Sequence, residues 1–105
     1  MDSLSKISIV AQALTKRFPN GDEPFKIVSR LLEESGEVSW ELNHYERKNI
    51  SLMRNCRDNK ENLVTETYQV MIALNQLLQY YNLSDLFARK IEEVYKEYQD
   101  KGYIK

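Results

Sequence analysis

The stretch LLEESGEV, residues 31–38, contains the features that decide the fold of this 105-residue chain. Leu31 and Val38 are seven residues apart, which places their side chains on the same side of an α-helix. Glutamates lie between them, and neither lysine nor arginine occurs from residue 31 to residue 46. Like charges three or four residues apart destabilise a helix by roughly 0.2–0.5 kcal/mol per pair. The acidic run is therefore unlike the charge-balanced surface of an ordinary solvated helix.

A long second helix is expected around this stretch. Asp22 is a suitable N-cap and Pro24 a suitable first-turn residue, so the helix should begin there. Apolar residues continue at helical spacing until about Glu46 or Lys48, where the helix should end. The predicted apolar side of this helix consists of Phe25, Val28, Leu31, Leu32, Val38, Leu42 and Tyr45.

Three glutamates of this helix form a narrow stripe that borders the predicted apolar side. They are Glu34, Glu37 and Glu41, at spacings of three and four residues. A carboxylate beside a core loses hydration, which is unfavourable unless a cation lies nearby. Gly36, within the same helix, lowers helix stability by about 1 kcal/mol relative to alanine. We expect it to permit the close approach of a neighbouring helix or a ligand.

Three further helices complete the predicted fold, which is all-α. The first spans about residues 3–18, the third begins at Asp58 or Asn59 and ends near Asn82, and the fourth runs from a Ser84 cap to about Lys101. A turn at residues 19–22 and a polar connection at residues 49–58 separate the first three. The predicted apolar side of the third helix consists of Leu63, Val70, Met71, Leu74, Leu77, Leu78 and Tyr81.

The composition indicates one globular domain, residues 1–105, in the cytoplasm. Hydrophobic residues make up 42% of the chain, and 15 lysines and arginines face 16 acidic residues, for a net charge of −1. This near-neutral balance argues against a nucleic-acid partner, which would favour a strongly basic chain. No stretch approaches the ~18 apolar residues of a membrane span, and no signal peptide is recognisable at the start. The single cysteine, Cys56, excludes an intramolecular disulfide.

The third helix repeats the acidic arrangement of the second. Glu66 and Gln69 are three residues apart and flank its predicted apolar side. Two antiparallel helices with such pairs can converge on a hard cation such as Mg²⁺, which prefers oxygen ligands. Two other interpretations remain: the glutamates form a solvated acidic face, or they form a patch for a basic partner. Arg30 could pair with Glu34 one turn later, and such a pair would oppose metal binding.

The quoted stretch resembles the EExxE element of the MazG-like, all-α nucleoside triphosphate pyrophosphohydrolases. The segment ETYQV, residues 66–70, stands where that family carries ExxD followed by an aliphatic residue. The resemblance covers most of the chain, because the helix order, the capped second helix and the polar connection also match. It implies a four-helix MazG-like bundle, assembled as a dimer or a dimer of dimers (tetramer), whose subunit contacts help to build the sites.

The resemblance also implies a metal centre. In this family the four motif carboxylates hold Mg²⁺, which binds the triphosphate, and water attacks between the α and β phosphorus to release pyrophosphate. Carried over to this chain, Glu34, Glu37 and Glu66 become ligands of Mg²⁺ or Mn²⁺, and Gln69 occupies the position of the fourth. A neutral amide there should weaken Mg²⁺ binding, with Glu33 or Glu41 as candidates to compensate.

Catalytic and substrate-binding roles are assigned to other residues by their types and positions. Glu33 or Glu37 could activate the attacking water as a general base. Lys90 resembles the family's phosphate-facing lysine, and Arg57 belongs to a basic cluster that either contacts phosphate or is simply solvated. Trp40 is either a stacking or subunit-contact residue or a partly exposed packing residue.

Two functions follow from these patterns. The first is a Mg²⁺-dependent pyrophosphohydrolase that converts an NTP or dNTP to the monophosphate and pyrophosphate in nucleotide-pool house-cleaning. The second is a catalytically silent helical module that oligomerises or binds a nucleotide or protein, and Gln69 is the residue that favours it.

Overall fold

A computed structural model describes residues 1–17, 23–47 and 60–105, and these residues form four helices with no strand. The helices are α1 (Ser3–Arg17), α2 (Pro24–Arg47), α3 (Lys60–Tyr80) and α4 (Ser84–Asp100). The all-α class is therefore confirmed, and the helix ends lie close to their predicted positions. The predicted turn at residues 19–22 and the whole connection at residues 49–58, with Cys56 and Arg57 in it, are outside the described residues. None of the four helices combines the length and apolar character needed to cross a membrane.

The central helix of the bundle is α3, which packs against both α2 and α1. Gln76 of α3 is 4% exposed and joins all three helices. Arg30 Nη2 of α2 donates a hydrogen bond to Gln76 Oε1 at 2.8 Å, and Gln76 Nε2 donates to Thr15 Oγ1 of α1 at 3.2 Å. Gln79 Nε2 donates to the Ser8 carbonyl at 2.9 Å, one turn further along α3. These buried bonds give the packing of α1, α2 and α3 a specific register.

Polar side chains are nearly as numerous as apolar ones in the buried interior. The buried hydrophobic side chains of the described residues are Ala11, Ile27, Ile72 and Ala73, and the buried polar ones are Glu41, Asn75 and Gln76. Asn75 Nδ2 donates to the Met71 carbonyl of its own helix at 2.9 Å. Because so little apolar surface is buried, each interior side chain contributes a large share of the stability.

The orientation of α2 differs from the prediction. Phe25 is 89% exposed and Leu32 is 70% exposed, and Val28 and Leu42 are exposed as well. The side of α2 that faces the bundle instead consists of Ile27, Arg30, Leu31, Glu34, Val38 and Glu41. Relative to the predicted apolar side, the helix is rotated by about a quarter turn. Glu34 and Glu41 therefore lie in the helix interface, whereas Glu37 stays at its exposed edge.

A smaller correction applies to α3 and to the start of α4. Leu74 and Tyr81, predicted on the apolar side, are exposed. Asn82 takes a left-handed backbone conformation (φ 57°), and the Leu83 amide donates to the Leu78 carbonyl at 2.8 Å, which closes α3. The N-cap position of α4 is Leu83, whose side chain makes no capping bond, so Ser84 is the first helical residue and not the cap.

The last helix, α4, contacts the other described helices chiefly at the end of α3 and has no buried residue. Apolar residues of α4 that are exposed or, for Val94, half-buried recur at helical spacing, and we call them the α4 apolar face: Phe87, Ile91, Val94, Tyr95 and Tyr98. The radius of gyration is 17.2 Å, against about 13 Å for a compact chain of this length. Tyr103 packs edge-on against Tyr98 at one end of this face, with ring centroids 5.5 Å apart.

Candidate metal centre

Three carboxylates converge where α2 and α3 pack together. Glu34 and Glu37 project from adjacent turns of α2, and Glu66 projects from α3. One carboxylate oxygen of each lies within 4.8 Å of the others. The two helices are antiparallel, since Arg30 pairs with Gln76 while the later Glu37 meets the earlier Glu66. The structure thus brings together three of the four residues that were predicted as metal ligands.

The burial of these carboxylates determines what they can bind. Glu37 is exposed, whereas Glu34 and Glu66 are half-buried. The Oε2 atoms of Glu34 and Glu66 are both buried and have no hydrogen-bond partner. A buried carboxylate oxygen without a donor is unfavourable by about 1–3 kcal/mol or more. Two such oxygens on one cluster fit a cation of the hard, oxygen-seeking type, such as Mg²⁺ or Mn²⁺.

The crowding of negative charge in the cluster raises the pKa of two of its carboxyl groups. Hydrogen bonding to Glu66 is the main cause that raises the pKa of Glu37 above its ordinary value. Partial desolvation and the charges of Glu66 and Glu33 raise it further, against an opposing hydrogen bond with Glu34. For Glu66, the hydrogen bond from Glu37 lowers the pKa. The hydrogen bond with Glu34, desolvation, and the charges of Glu34 and Glu41 outweigh it and raise the pKa overall.

A fourth glutamate lies beside this cluster. Glu41 is 8% exposed, and its Oε2 atom is buried without a hydrogen-bond partner. Its negative charge is one of the causes that raise the pKa of Glu66. From the sequence, Glu41 was only a candidate to compensate for Gln69. The sequence signal that could have identified it is the seven-residue spacing from Glu34, which keeps both on one line of α2.

Gln69 lies at the other end of the cluster. It lines a cavity of about 60 Å³ together with Arg30, Glu34 and Gln76, so it adjoins the Glu34 side. The cavity is large enough for a water molecule. The guanidinium of Arg30 donates to Gln76 in this region, so positive charge is already present there. This positive charge adjoins the Glu34 side of the cluster.

The remaining residues that were predicted for the site, and that the structure describes, lie outside the three-carboxylate cluster. Glu33 is exposed next to the cluster, and its charge acts on Glu37. Trp40 is 57% exposed on α2. Lys90 lies on α4, with Nζ 3.7 Å from Glu93 Oε1, among residues of α4 and the C-terminal segment and not at the cluster.

Comparisons with protein-family models, with curated protein sequences and with solved structures each find no match. The MazG-like assignment therefore stays a prediction that depends on the two sequence motifs. The arrangement itself can bind a hard divalent cation and, through it, an anionic ligand such as a polyphosphate.

Proposed function

We propose that the protein is a Mg²⁺-dependent nucleoside triphosphate pyrophosphohydrolase that acts on an NTP or dNTP in the nucleotide pool. The observation that carries this proposal is the convergence of Glu34, Glu37 and Glu66, with two buried carboxylate oxygens that lack a hydrogen-bond partner. Glu34 and Glu66 would hold the cation, and Glu37 would complete the set at the exposed edge. A bound Mg²⁺ supplies Lewis-acid charge stabilisation and orients the phosphates.

Glu37 or Glu33 would act as the general base. Both side chains are exposed beside the cluster, so water reaches them. In the proposed reaction, this carboxylate takes the proton of a water whose oxygen attacks the α phosphorus. The bond from that phosphorus to the bridging oxygen breaks, and pyrophosphate leaves.

Substrate contacts beyond the phosphates are proposed for Trp40, Lys90 and Arg57. Trp40 is exposed on α2, one turn after Glu37, where its ring could stack on a nucleobase. Lys90 is on α4 and away from the cluster of its own chain, so a role in phosphate binding requires a second copy of the chain. Arg57 lies outside the described residues and keeps its predicted role as a phosphate contact.

We also propose that the protein is a homo-oligomer, either a dimer or a tetramer formed as a dimer of dimers. The accessible surface of the chain is 8499 Å², whereas a compact monomer of its mass would expose about 6,200 Å². The excess is comparable with the area that stable protein interfaces bury. The α4 apolar face is one surface that the described helices offer to such an interface.

A catalytically silent, nucleotide- or protein-binding module is the second candidate. The placement of Gln69 favours it, because a neutral amide and the Arg30 guanidinium lie at the Glu34 end of the cluster. Less negative charge at that end weakens the hold on a divalent cation. Such a protein would bind a metal or nucleotide without turnover.

The test is pyrophosphate release from a panel of NTPs and dNTPs with Mg²⁺ or Mn²⁺. The parent protein should release pyrophosphate, and Glu34→Gln and Glu66→Gln should lose this activity. Glu46→Gln is the matched control, because Glu46 is an exposed glutamate of the same helix. Metal binding without pyrophosphate release would favour the silent module, and absence of metal binding would contradict the pyrophosphohydrolase.

A further inference from the structure

We infer that the α4 apolar face of one chain docks in the groove between α1 and α3 of a second copy, and that the second copy returns the same contact. This inference rests on the proposed homo-oligomer and not on the metal centre. Each chain then supplies one projecting helix and one receiving groove, so two equivalent contacts close the dimer.

The receiving surface is an apolar groove of about 440 Å³ between α1 and α3. Its lining residues are Ile7, Leu63, Val64, Thr67, Tyr68 and Met71. Val64 is 67% exposed and Tyr68 is 39% exposed. Together with Met71 they follow one another at spacings of four and three residues, so they form one stripe along α3. A groove with such a stripe fits the apolar side of another helix.

The α4 helix carries a matching apolar stripe that its own chain covers only in part. In the middle of the α4 apolar face, Ile91 is 38% exposed and Tyr95 is 51% exposed. Tyr103 packs on the face only at its Tyr98 end. Among the described helices, α4 contacts chiefly the end of α3, whereas the groove lies along residues 63–71 of that helix. The α4 helix of the same chain therefore does not fill the groove.

The exposed area of the chain is large enough for two such contacts. The chain exposes 8499 Å², roughly 2,300 Å² more than a compact monomer of its mass. Stable homodimer interfaces bury about 2,000–5,000 Å² in total, counted over both chains. Burial of the excess area of two chains falls within this range. A second copy is therefore a sufficient occupant of the groove.

Charge favours the groove beside α1 over the exposed apolar side chains of α2. The α4 helix contains five acidic and three basic residues. The α1 helix contains three basic residues and no acidic one, whereas α2 contains five acidic and three basic residues. Opposite charges attract two surfaces and like charges disfavour their contact. The same rule disfavours the pairing of α4 with α4 of the second copy.

The experiment is sedimentation velocity of the full chain over a range of micromolar concentrations, with circular dichroism as a check of helix content. Ile91→Glu on α4 and Val64→Lys in the groove each place a charge in the proposed contact. Both should raise the dissociation constant of the dimer by about tenfold or more. Leu32→Glu, at an exposed apolar position of α2, is the matched control and should keep the dimer. Where one variant loses helix content, Tyr95→Glu or Thr67→Lys replaces it on the same surface.

A mixture of the two variants tests whether the two surfaces contact each other. Ile91→Glu keeps an intact groove, and Val64→Lys keeps an intact α4 apolar face, so a mixed dimer retains one unaltered contact. The charges in its other contact are opposite. An equimolar mixture should therefore form dimers at concentrations where each variant alone is monomeric. A mixture that stays monomeric would overturn the inference.

The remaining outcomes separate this inference from the proposals on which it rests. If Ile91→Glu dissociates the dimer while Val64→Lys keeps the parent mass, α4 docks elsewhere, for example on α4 of the second copy. If Leu32→Glu dissociates it and Val64→Lys does not, the interface lies on α2. Either result overturns the inference although the homo-oligomer stands. A monomeric parent contradicts both, and Mn²⁺ binding by the Ile91→Glu monomer reports separately on the metal centre.

Discussion

Glu66→Gln should stabilise the metal-free protein, and it should remove the stabilisation that a bound divalent cation gives the parent. In metal-free protein, the substitution removes the repulsion between Glu66 and Glu34, whose carboxylate oxygens lie within 4.8 Å. At that separation, two unit charges in a water-like surrounding repel by about 1 kcal/mol. The metal-free variant should therefore be more stable than the parent by roughly this amount, which raises the melting temperature by about 4–8 °C.

The same substitution should remove the stabilisation that a bound cation provides. At a metal concentration ten times the dissociation constant, binding to the folded state alone adds about 1.4 kcal/mol. This corresponds to a rise of roughly 6–11 °C for the parent. The variant lacks one ligand and should show little of this rise. The parent should therefore melt below Glu66→Gln in EDTA, and the gap should narrow or reverse in saturating Mg²⁺ or Mn²⁺.

Thermal unfolding followed by circular dichroism, in EDTA and across a series of metal concentrations, measures both effects. Glu46→Gln, at an exposed position of α2, should follow the parent under every condition. A parent melting temperature that neither Mg²⁺ nor Mn²⁺ raises would refute the metal centre. A metal-free variant that melts well below the parent would show that Glu66 stabilises the fold through contacts other than a cation.

Four further predictions follow from the same structure. Because the fold raises the pKa of Glu37 and Glu66 above the ordinary value of 4.5, the folded metal-free protein binds more protons than the unfolded chain just above that value. Its melting temperature should therefore rise as the pH falls from 7 towards 5. A fall in melting temperature over this range would contradict the raised pKa of these two carboxyl groups. Gln69→Asp should strengthen Mn²⁺ binding in calorimetry, with Gln69→Glu as the length-matched comparison; unchanged affinity in both would place residue 69 outside the site. A Cβ on Gly36 would meet no atom within 4 Å, so Gly36→Ala should stabilise the fold by about 0.5–1 kcal/mol in urea unfolding; a loss of substrate affinity in that variant would show that a ligand approaches there. Ile91→Glu on the α4 apolar face should reduce the mass in light scattering towards the 12.5 kDa monomer, whereas a monomeric parent at micromolar concentration would refute the oligomer.

The sequence by itself determined the helices and the stripe of carboxylates on α2. Helix ends depend on local chemistry: Pro24 occupies the first position of α2, and Gly102, with φ 78°, follows the end of α4. The spacing of Glu34, Glu37 and Glu41 along one line follows from helical geometry alone. These properties involve residues close together in the chain, so periodicity and capping patterns were sufficient to predict them.

The tertiary structure decided which side of α2 faces the bundle, and hence how deeply the glutamates lie. Large apolar residues cover a broad side of α2 that reaches from the buried Ile27 to the exposed Phe25 and Leu32, so hydrophobic periodicity did not specify its rotation. The observed rotation lets Arg30 bond to Gln76, which is 46 residues away in the chain. That pairing sets the register of α2 against α3 and brings Glu66 to Glu34 and Glu37. Contacts between distant residues fix this register, and no local sequence pattern encodes them.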